Sequence, residues 1–323
     1  MTGLPAWISA ALASKLENVS RGELRERARA ISDAYRAGDS SDLIRSDMEA
    51  LAYAVVRMPA TFAAVRAALG YAIEIVPEFA PKSILDVGAG PGTASWAGID
   101  AWPSVQRTTL IDSNPRLLAL AGQFHDALQR DIAADIVAGD LAQALGKAPA
   151  ADVVTASYAL TELAPAALDG VLGELWQRAH RLLVIVEPGT VDGFKRILAC
   201  RDILLASGAQ IVAPCSHEGR CPLANNARWC HFAARLARSR DHLIVKDAHV
   251  PFEDEKFSYL VAGKGFAGIA RGRRVLATPK VSKAGIGLTL CAPDHVEERN
   301  VPRRDKDAYK AAKHLDWGDI AKP

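Results

Sequence analysis

The feature that most limits what this chain can fold into is a change of period near residue 83. From there, short β-rich runs alternate with helical stretches: SILDVG (83–88), TTLIDS (108–113), DIVAGD (135–140), DVVTAS (152–157) and LLVIVE (182–187), most of them separated by segments such as PRLLALAGQFHDALQ. Strands buried on both faces read as near-continuous apolar runs, and intervening helices supply the crossovers that parallel strands need. The pattern predicts an α/β fold, a doubly wound parallel sheet with helices on both faces. Residues 1–80 read as helix throughout. Ser20 and Glu23 make a capping-box pattern ahead of Leu24, Ala28, Ile31 and Tyr35, a spacing that gathers apolar side chains on one helical face. DSSDLIRSDMEALAYAVVR begins a second helix, and Pro59 suits the first turn of a third.

Regularity breaks after Cys200. A loop-rich segment with cysteines and histidines occupies about 212–232, strand-like runs follow at FSYLVAGK, RRVLAT and GIGLTLC, and the chain closes on VPRRDKDAYKAAKHLDWGD. The expected organisation is a helical region over 1–80, an α/β core over 81–211, a Cys-rich insert over 212–232, and the end of the core sheet with a small basic β-containing module over 233–323. There is no internal repeat and no low-complexity segment.

Half of the 323 residues are hydrophobic, enough to bury a substantial core. No window approaches the roughly 18 consecutive apolar residues of a membrane span, and the start lacks a basic segment followed by an apolar run. The expectation is a cytoplasmic monomer with no membrane contact. Five cysteines, an odd number, in a reducing compartment favour metal binding or a reactive thiol over disulfides. The net charge of +2 hides an asymmetry: residues 1–190 hold 16 Lys and Arg against 22 Asp and Glu, while residues 191–323 hold 23 against 15. Clustered cations in the second half suit a polyanion, whose counterions they release, or else form a solvated basic face.

LDVGAGPGTASW places Asp86, Gly88, Gly90 and Gly92 at the end of the first strand and the start of a helix. Glycines there let the backbone turn sharply and approach a ligand, and the helix N-terminus offers donors. A dinucleotide loop would read G-x-G-x-x-G; here the spacing is G-x-G-x-G with an acid two positions ahead. This resembles motif I of the Rossmann-like S-adenosylmethionine methyltransferases. That resemblance implies that Asp112, in LIDSNP, accepts the ribose hydroxyls, that Asp140, in VAGD, contacts the adenine, and that Tyr158 faces the methyl group. All sit at carboxyl ends of predicted adjacent strands, where open α/β sheets form their crevice. The segment TASYALTEL lacks the Asn/Asp-Pro-Pro-Tyr sequence of amine methylation and the Pro-Cys of cytosine C5 methylation, so no catalytic residue is assigned. Glu162 reads as a base or as a solvated cap. EPGT (187–190) reads as a loop over the crevice mouth or as a simple strand-to-helix turn.

In PCSHEGRCPLANNARWCHF, Cys215, Cys221 and Cys230 follow neither the C-x2-C spacing of zinc ribbons nor that of bacterial ferredoxins. Cys221-Pro222 resembles the Cys-Pro that closes a ferredoxin motif, and Cys291 is available as a distant fourth thiolate. Four soft ligands suit zinc or an iron–sulfur cluster; His217 and His231 are rival ligands in a Cys3His zinc site, and unliganded core cysteines remain the plain alternative. Cys200 falls inside a helical pattern and reads as core.

Taken together, RMPATFAAV, LDVGAGPGTASWA, CSHEGRCPL, WCHF, the late LC and the terminal YKAAKHLDWGD are similar to the methyltransferase-like family of mitochondrial small-ribosomal-subunit proteins and their bacterial relatives. The resemblance spans nearly the whole chain. It implies a 4Fe-4S cluster on Cys215, Cys221, Cys230 and Cys291, with zinc as the alternative. It also implies partnership with the small ribosomal subunit and its rRNA, in assembly or translation, and in some members loss of methyl transfer. Arg271, Arg273, Arg274, Lys280, Lys283, Arg303 and Arg304 are then the expected phosphate contacts. Trp229 and Trp317 are candidates for base stacking, although tryptophan more often packs in a core. Two further readings stand beside this one: an active rRNA methyltransferase and an iron–sulfur redox-responsive regulator of translation.

Overall fold

The computed structural model describes residues 2–37, 43–266 and 272–321. Four helices come first: α1 (Ala6–Leu16), α2 (Arg21–Ala37), α3 (Asp47–Val56) and α4 (Met58–Ile75). At the Ser20 pattern, Glu23 N–H donates to Ser20 Oγ at 3.4 Å. The full reciprocal box closes one helix later, where Ser46 Oγ accepts from Glu49 N and the Glu49 carboxylate accepts from Ser46 N. Pro59 stands in the first turn of α4, where its missing N–H costs nothing.

Alternation then follows as the apolar runs predict: β1 (Ser83–Val87), α5 (Thr93–Ala101), β2 (Arg107–Asp112), α6 (Pro115–Asp126), β3 (Ala133–Ala138), α7 (Leu141–Lys147), β4 (Ala151–Ser157), α8 (Leu168–Arg178), β5 (Ala179–Pro188) and α9 (Val191–Ala206). Beyond it come β6 (Gln210–Ala213), β7 (Phe232–Ala237), α10 (Arg240–Lys246), β8 (Phe252–Gly263), β9 (Arg273–Val275), β10 (Lys280–Val281), β11 (Gly285–Cys291), β12 (Val296–Pro302), α11 (Lys306–Ala312) and β13 (Ile320–Ala321). The main sheet runs β3-β2-β1-β4-β5-β8-β6, with β7 on β8. β1 is parallel to both β2 and β4, β2 is parallel to β3, and β6 is antiparallel to β8. The chain leaves β1 toward β2 on one side and returns to β4 on the other, so the order reverses at β1, the place where open α/β sheets form their ligand crevice.

Two compact units make up the chain. The first takes its residues from 1–67, 80–183 and 234–255, the second from 68–79, 184–233 and 256–323. In the first, Ile84, Leu85, Val87, Val153 and Val154 are buried, which explains why these strands read as continuous apolar runs. In the second, β10-β11-β9-β13 form an antiparallel sheet with β12 paired to β11. Ile286, Leu288 and Leu290, two residues apart on one face of β11, pack with Val275, Val301, Ala312 and Ala321, flanked by Tyr309 and Leu315. Residues 214–231 carry turns and bends but neither helix nor strand.

EPGT is a strand-to-helix turn between β5 and α9. Thr190 caps α9 by accepting from Gly193 N at 3.1 Å. Gly189 donates its N–H to Lys256 O at 2.9 Å, and a Cβ there would stand 2.6 Å from the Lys256 carbonyl carbon, so this crossing of two backbones admits only glycine. Among the described residues no single helix is long and apolar enough to cross a membrane; α3 and α4 meet that test only as a pair bent by 49°.

Candidate functional site

In the first unit the glycine loop sits at the carboxyl end of β1. Gly88, Gly90 and Gly92 have φ of +70°, +53° and +81°. Side chains are excluded twice over at the ends of the loop: a Cβ on Gly88 would meet Ala159 Cβ at 2.4 Å, and one on Gly92 would meet the Trp96 ring at 2.6 Å. Trp96, fully buried, locks the turn by donating Nε1–H to Pro91 O at 2.7 Å.

Asp86 lies beneath the loop with no exposed surface. One carboxylate oxygen accepts from Ser95 N at 2.8 Å and Ser95 Oγ at 2.9 Å, and the other accepts from Thr155 Oγ1 at 2.9 Å. The register that sets Asp86 opposite Thr155 across β1 and β4 makes the last bond possible. Burial outweighs these donors and pushes the Asp86 carboxyl up to about 6. Asp112, at the end of β2, accepts from Gly90 N at 2.7 Å and Asn114 N at 2.8 Å, fastening the loop to the neighbouring strand. Burial raises its pKa as well. Asp140 is exposed and accepts from Gln143 N at 3.2 Å, as a cap of α7.

Tyr158 follows β4 in the left-handed region, φ +57°, which is rare for a bulky side chain. Its hydroxyl donates to Glu255 Oε1 at 2.9 Å. Glu255, from β8, has its pKa raised by burial, against which Arg57 works. Tyr53 is half-buried within reach of the charges of Arg57, Asp112 and Glu162. The sequence reading missed Tyr53, Arg57 and Glu255: FEDEK carries no spacing signal, and Arg57 lies in RMPATF, where the helical pattern rather than chemistry drew attention.

In the second unit, all four expected cysteines line one cavity together with His217, Arg201, Arg274 and Tyr259. Residues 214–231 bring Cys215, Cys221 and Cys230, and the end of β11 brings Cys291. All are free thiols, and so is Cys200, buried in α9. Burial pushes the Cys291 thiol up to about 12 and raises Cys221 and, further, Cys230, with the other thiols of the cavity adding to each. Cys291 Sγ stands 3.7 Å from His217 Nε2. Among the described residues, no three His, Cys, Asp or Glu side chains are arranged to hold a metal ion. His231 instead packs between Trp229, stacked at 5.0 Å, and Trp317, edge-on at 4.9 Å, and Trp229 Nε1–H donates to Gly189 O at 2.9 Å. Both tryptophan rings, each part-buried, are thus in contact with His231.

The expected phosphate contacts divide. Lys280, Lys283, Arg303 and Arg304 are exposed, and Arg303 N–H donates to Ala284 O at 3.2 Å, which sets the β10–β11 turn beside the start of the tail. Arg273 is half-buried and shares the Glu297 carboxylate with Arg299. Arg274 needs correction: it is 3% exposed, and its guanidinium donates to Pro214 O at 2.9 Å and Gly318 O at 2.7 Å, so it cannot reach a phosphate at the surface. Arg271 lies outside the described residues.

A mostly parallel sheet whose first strand ends in a glycine loop, with Asp112 at the end of the strand beside it, is a Rossmann-like fold. The family described as mitochondrial small ribosomal subunit Rsm22 matches residues 47–322, and the chain belongs to that family. It is 27% identical to the human mitochondrial ribosome assembly protein METTL17 over 84% of this chain and 62% of that protein. It is 26% identical to the mitochondrial Rsm22-cox11 tandem protein 2 of Schizosaccharomyces pombe, over 87% of this chain and 44% of that one. The chain therefore spans less than two thirds of either relative. Among solved structures, the magnesium protoporphyrin IX methyltransferase of Synechocystis with bound SAH is similar at a TM-score of 0.42 and 13% identity, covering 73% of this chain and 94% of that one. These relatives correct the expected compartment: the human and fission-yeast proteins are mitochondrial, not cytoplasmic. Sparse cysteine and a missing apolar run report redox habit and membrane crossing, and neither separates one reducing compartment from another.

The buried Asp86 generates a pH prediction. Its folded pKa of about 6 exceeds the ordinary 3.8, so the native state binds its proton more tightly than the unfolded chain. The group's contribution is most favourable below the unfolded value and declines as pH rises toward 6. Denaturant unfolding of wild type and Asp86→Asn between pH 4 and 7 should show the variant gaining on wild type across that window, by on the order of 2–3 kcal/mol, and no further change above it. A difference independent of pH would contradict the burial argument.

Proposed function

We propose that this chain acts in assembly of the small ribosomal subunit, in the mitochondrion as its relatives do, by binding rRNA through the basic edge of its C-terminal sheet. In this reading it carries S-adenosylmethionine in the crevice of the first unit and a 4Fe-4S cluster in the four-thiol cavity. The carrying observation is the family match over residues 47–322. Exposed Lys280, Lys283, Arg303 and Arg304 support the RNA contact, since clustered surface cations gain affinity by releasing phosphate counterions.

The crevice suits a ligand with hydroxyl and ammonium groups: Gly88, Gly90 and Gly92 allow close approach, and Asp112, Asp140 and Tyr158 stand at successive strand ends. S-adenosylmethionine bound there would supply an electrophilic methyl group. Asp86 serves the loop from below, holding Ser95 and Thr155.

Four thiolates are what a 4Fe-4S cluster takes, and four thiols line one cavity. The Tyr259 hydroxyl and Arg201 Nε, buried and without hydrogen-bond partners, line it too, as donors suited to an anionic, sulfur-rich group.

A second reading, active methyl transfer, is favoured by one observation: Tyr158 is held in a strained conformation against Glu255, whose raised pKa suits a base. Labelled methyl groups entering small-subunit rRNA, with loss in Glu255→Gln, would establish it. Cofactor binding without incorporation would leave the crevice a pocket without turnover.

For the leading reading, reversing Lys283, Arg303 and Arg304 to glutamate should weaken binding to small subunits and flatten its dependence on log salt by about one for each phosphate no longer neutralised. Unchanged co-sedimentation would remove the RNA assignment. Anaerobically purified protein should contain four irons and four sulfides per chain, as a 4Fe-4S cluster requires. Cys291→Ser should lose iron as fully as Cys221→Ser, while Cys200→Ser keeps it. One zinc without sulfide would refute the cluster.

A further inference from the structure

Two arginines line the four-thiol cavity, and each is only 3% exposed. Buried guanidinium groups are costly unless charge or hydrogen bonds answer them. Arg201, from α9, donates through one terminal nitrogen to His217 O at 3.1 Å and Gly219 O at 2.7 Å, while Asp202 approaches the other only at 3.5 Å and is itself 68% exposed. Its Nε–H is buried and has no acceptor. Arg274, from β9, is held by the carbonyls of Pro214 and Gly318 and lies 5.3 Å from the Tyr71 ring centre, with Glu74 near enough to feel its charge. Tyr71 stacks on Tyr259 at 5.7 Å, and the Tyr259 hydroxyl is a second buried donor without an acceptor.

Arg201, Arg274 and Tyr259 line the same cavity as Cys215, Cys221, Cys230 and Cys291. A cavity ringed by four thiols is therefore bordered by two fixed cations and two unused N–H and O–H donors. That surplus of positive charge and donors matches a group more anionic than the thiols alone would be.

We propose that Arg201 and Tyr259 donate hydrogen bonds to the sulfurs of the group held by Cys215, Cys221, Cys230 and Cys291, and that with Arg274 they raise its one-electron reduction potential. The inference rests on the cluster reading above. With four thiolates, an oxidised 4Fe-4S core carries a net charge of 2− and takes one electron to become 3−. Donors and cations close to the sulfurs stabilise the more negative state most, and low polarity in the cavity enlarges the effect. These are positioning residues, since the cysteines alone bind iron.

The test is an anaerobic dithionite titration, followed by absorption and spin resonance, of the full chain and three variants, each assayed for iron and sulfide. Arg201→Met should shift the one-electron equilibrium toward the oxidised form at least tenfold, about 59 mV. Tyr259→Phe, which removes one oxygen and keeps the ring packing, should shift it about threefold in the same direction. Arg201→Lys, which keeps the charge, should stay within about threefold of wild type. Loaded Tyr259→Phe and Arg201→Met proteins with wild-type potentials overturn the inference, as does an Arg201→Lys shift as large as that of Arg201→Met. If Arg201→Met holds no iron, a loaded Arg201→Lys supports the role of charge, and an empty one overturns it. Wild-type protein without iron and sulfide defeats the cluster reading and this inference with it; loaded protein with unmoved potentials defeats this inference alone.

Discussion

One fully buried carboxylate holds the first unit in register. Asp86 receives three hydrogen bonds, two from Ser95 at the head of α5 and one from Thr155 on β4. It thereby ties the strand that precedes the glycine loop to the helix that follows it and to the strand beyond the switch in sheet order. Asp112 repeats the device on the other side by holding Gly90 and Asn114. The loop is thus braced by carboxylates rather than by its own side chains, of which it has almost none. Asp86, which reads in the sequence as the acid of a cofactor motif, is in the fold a brace for the glycine loop.

The α/β architecture was legible because strands buried on both faces have no need to alternate, and the runs in β1, β4 and β5 declare themselves. Glycine spacing was legible for a comparable reason: three left-handed residues in five admit few other side chains. The thiol cavity was legible only as a set of cysteines. Nothing in the spacing from Cys230 to Cys291 says that β11 returns its last residue to the loop; the antiparallel pairing of β11 with β9 and β12 does that, and pairing is not written in local sequence.

ARGRR shows how a charge run misleads. Successive side chains on a strand point to opposite faces, so Arg273 and Arg274 on β9 have opposite fates. One meets Glu297 near the surface; the other turns inward to carbonyls and an aromatic ring. A composition count treats them alike. Arg57 and Glu255 were invisible for a different reason. They are 198 positions apart in the sequence numbering, and only the tertiary fold brings the charge of Arg57 to bear on the Glu255 that bonds Tyr158.

The anchoring of Arg274 by Gly318, 44 residues later, has a consequence for the order of synthesis. The contact between Cys291 and His217 joins positions 74 apart, and the cation beside the cavity is fixed by a carbonyl close to the last described residue. A chain emerging from its N-terminus can complete the α/β strands β1–β5 long before these groups exist. The cavity is a product of high contact order, finished only when nearly all of these residues have left the ribosome, and any group it held would have to enter after they emerge.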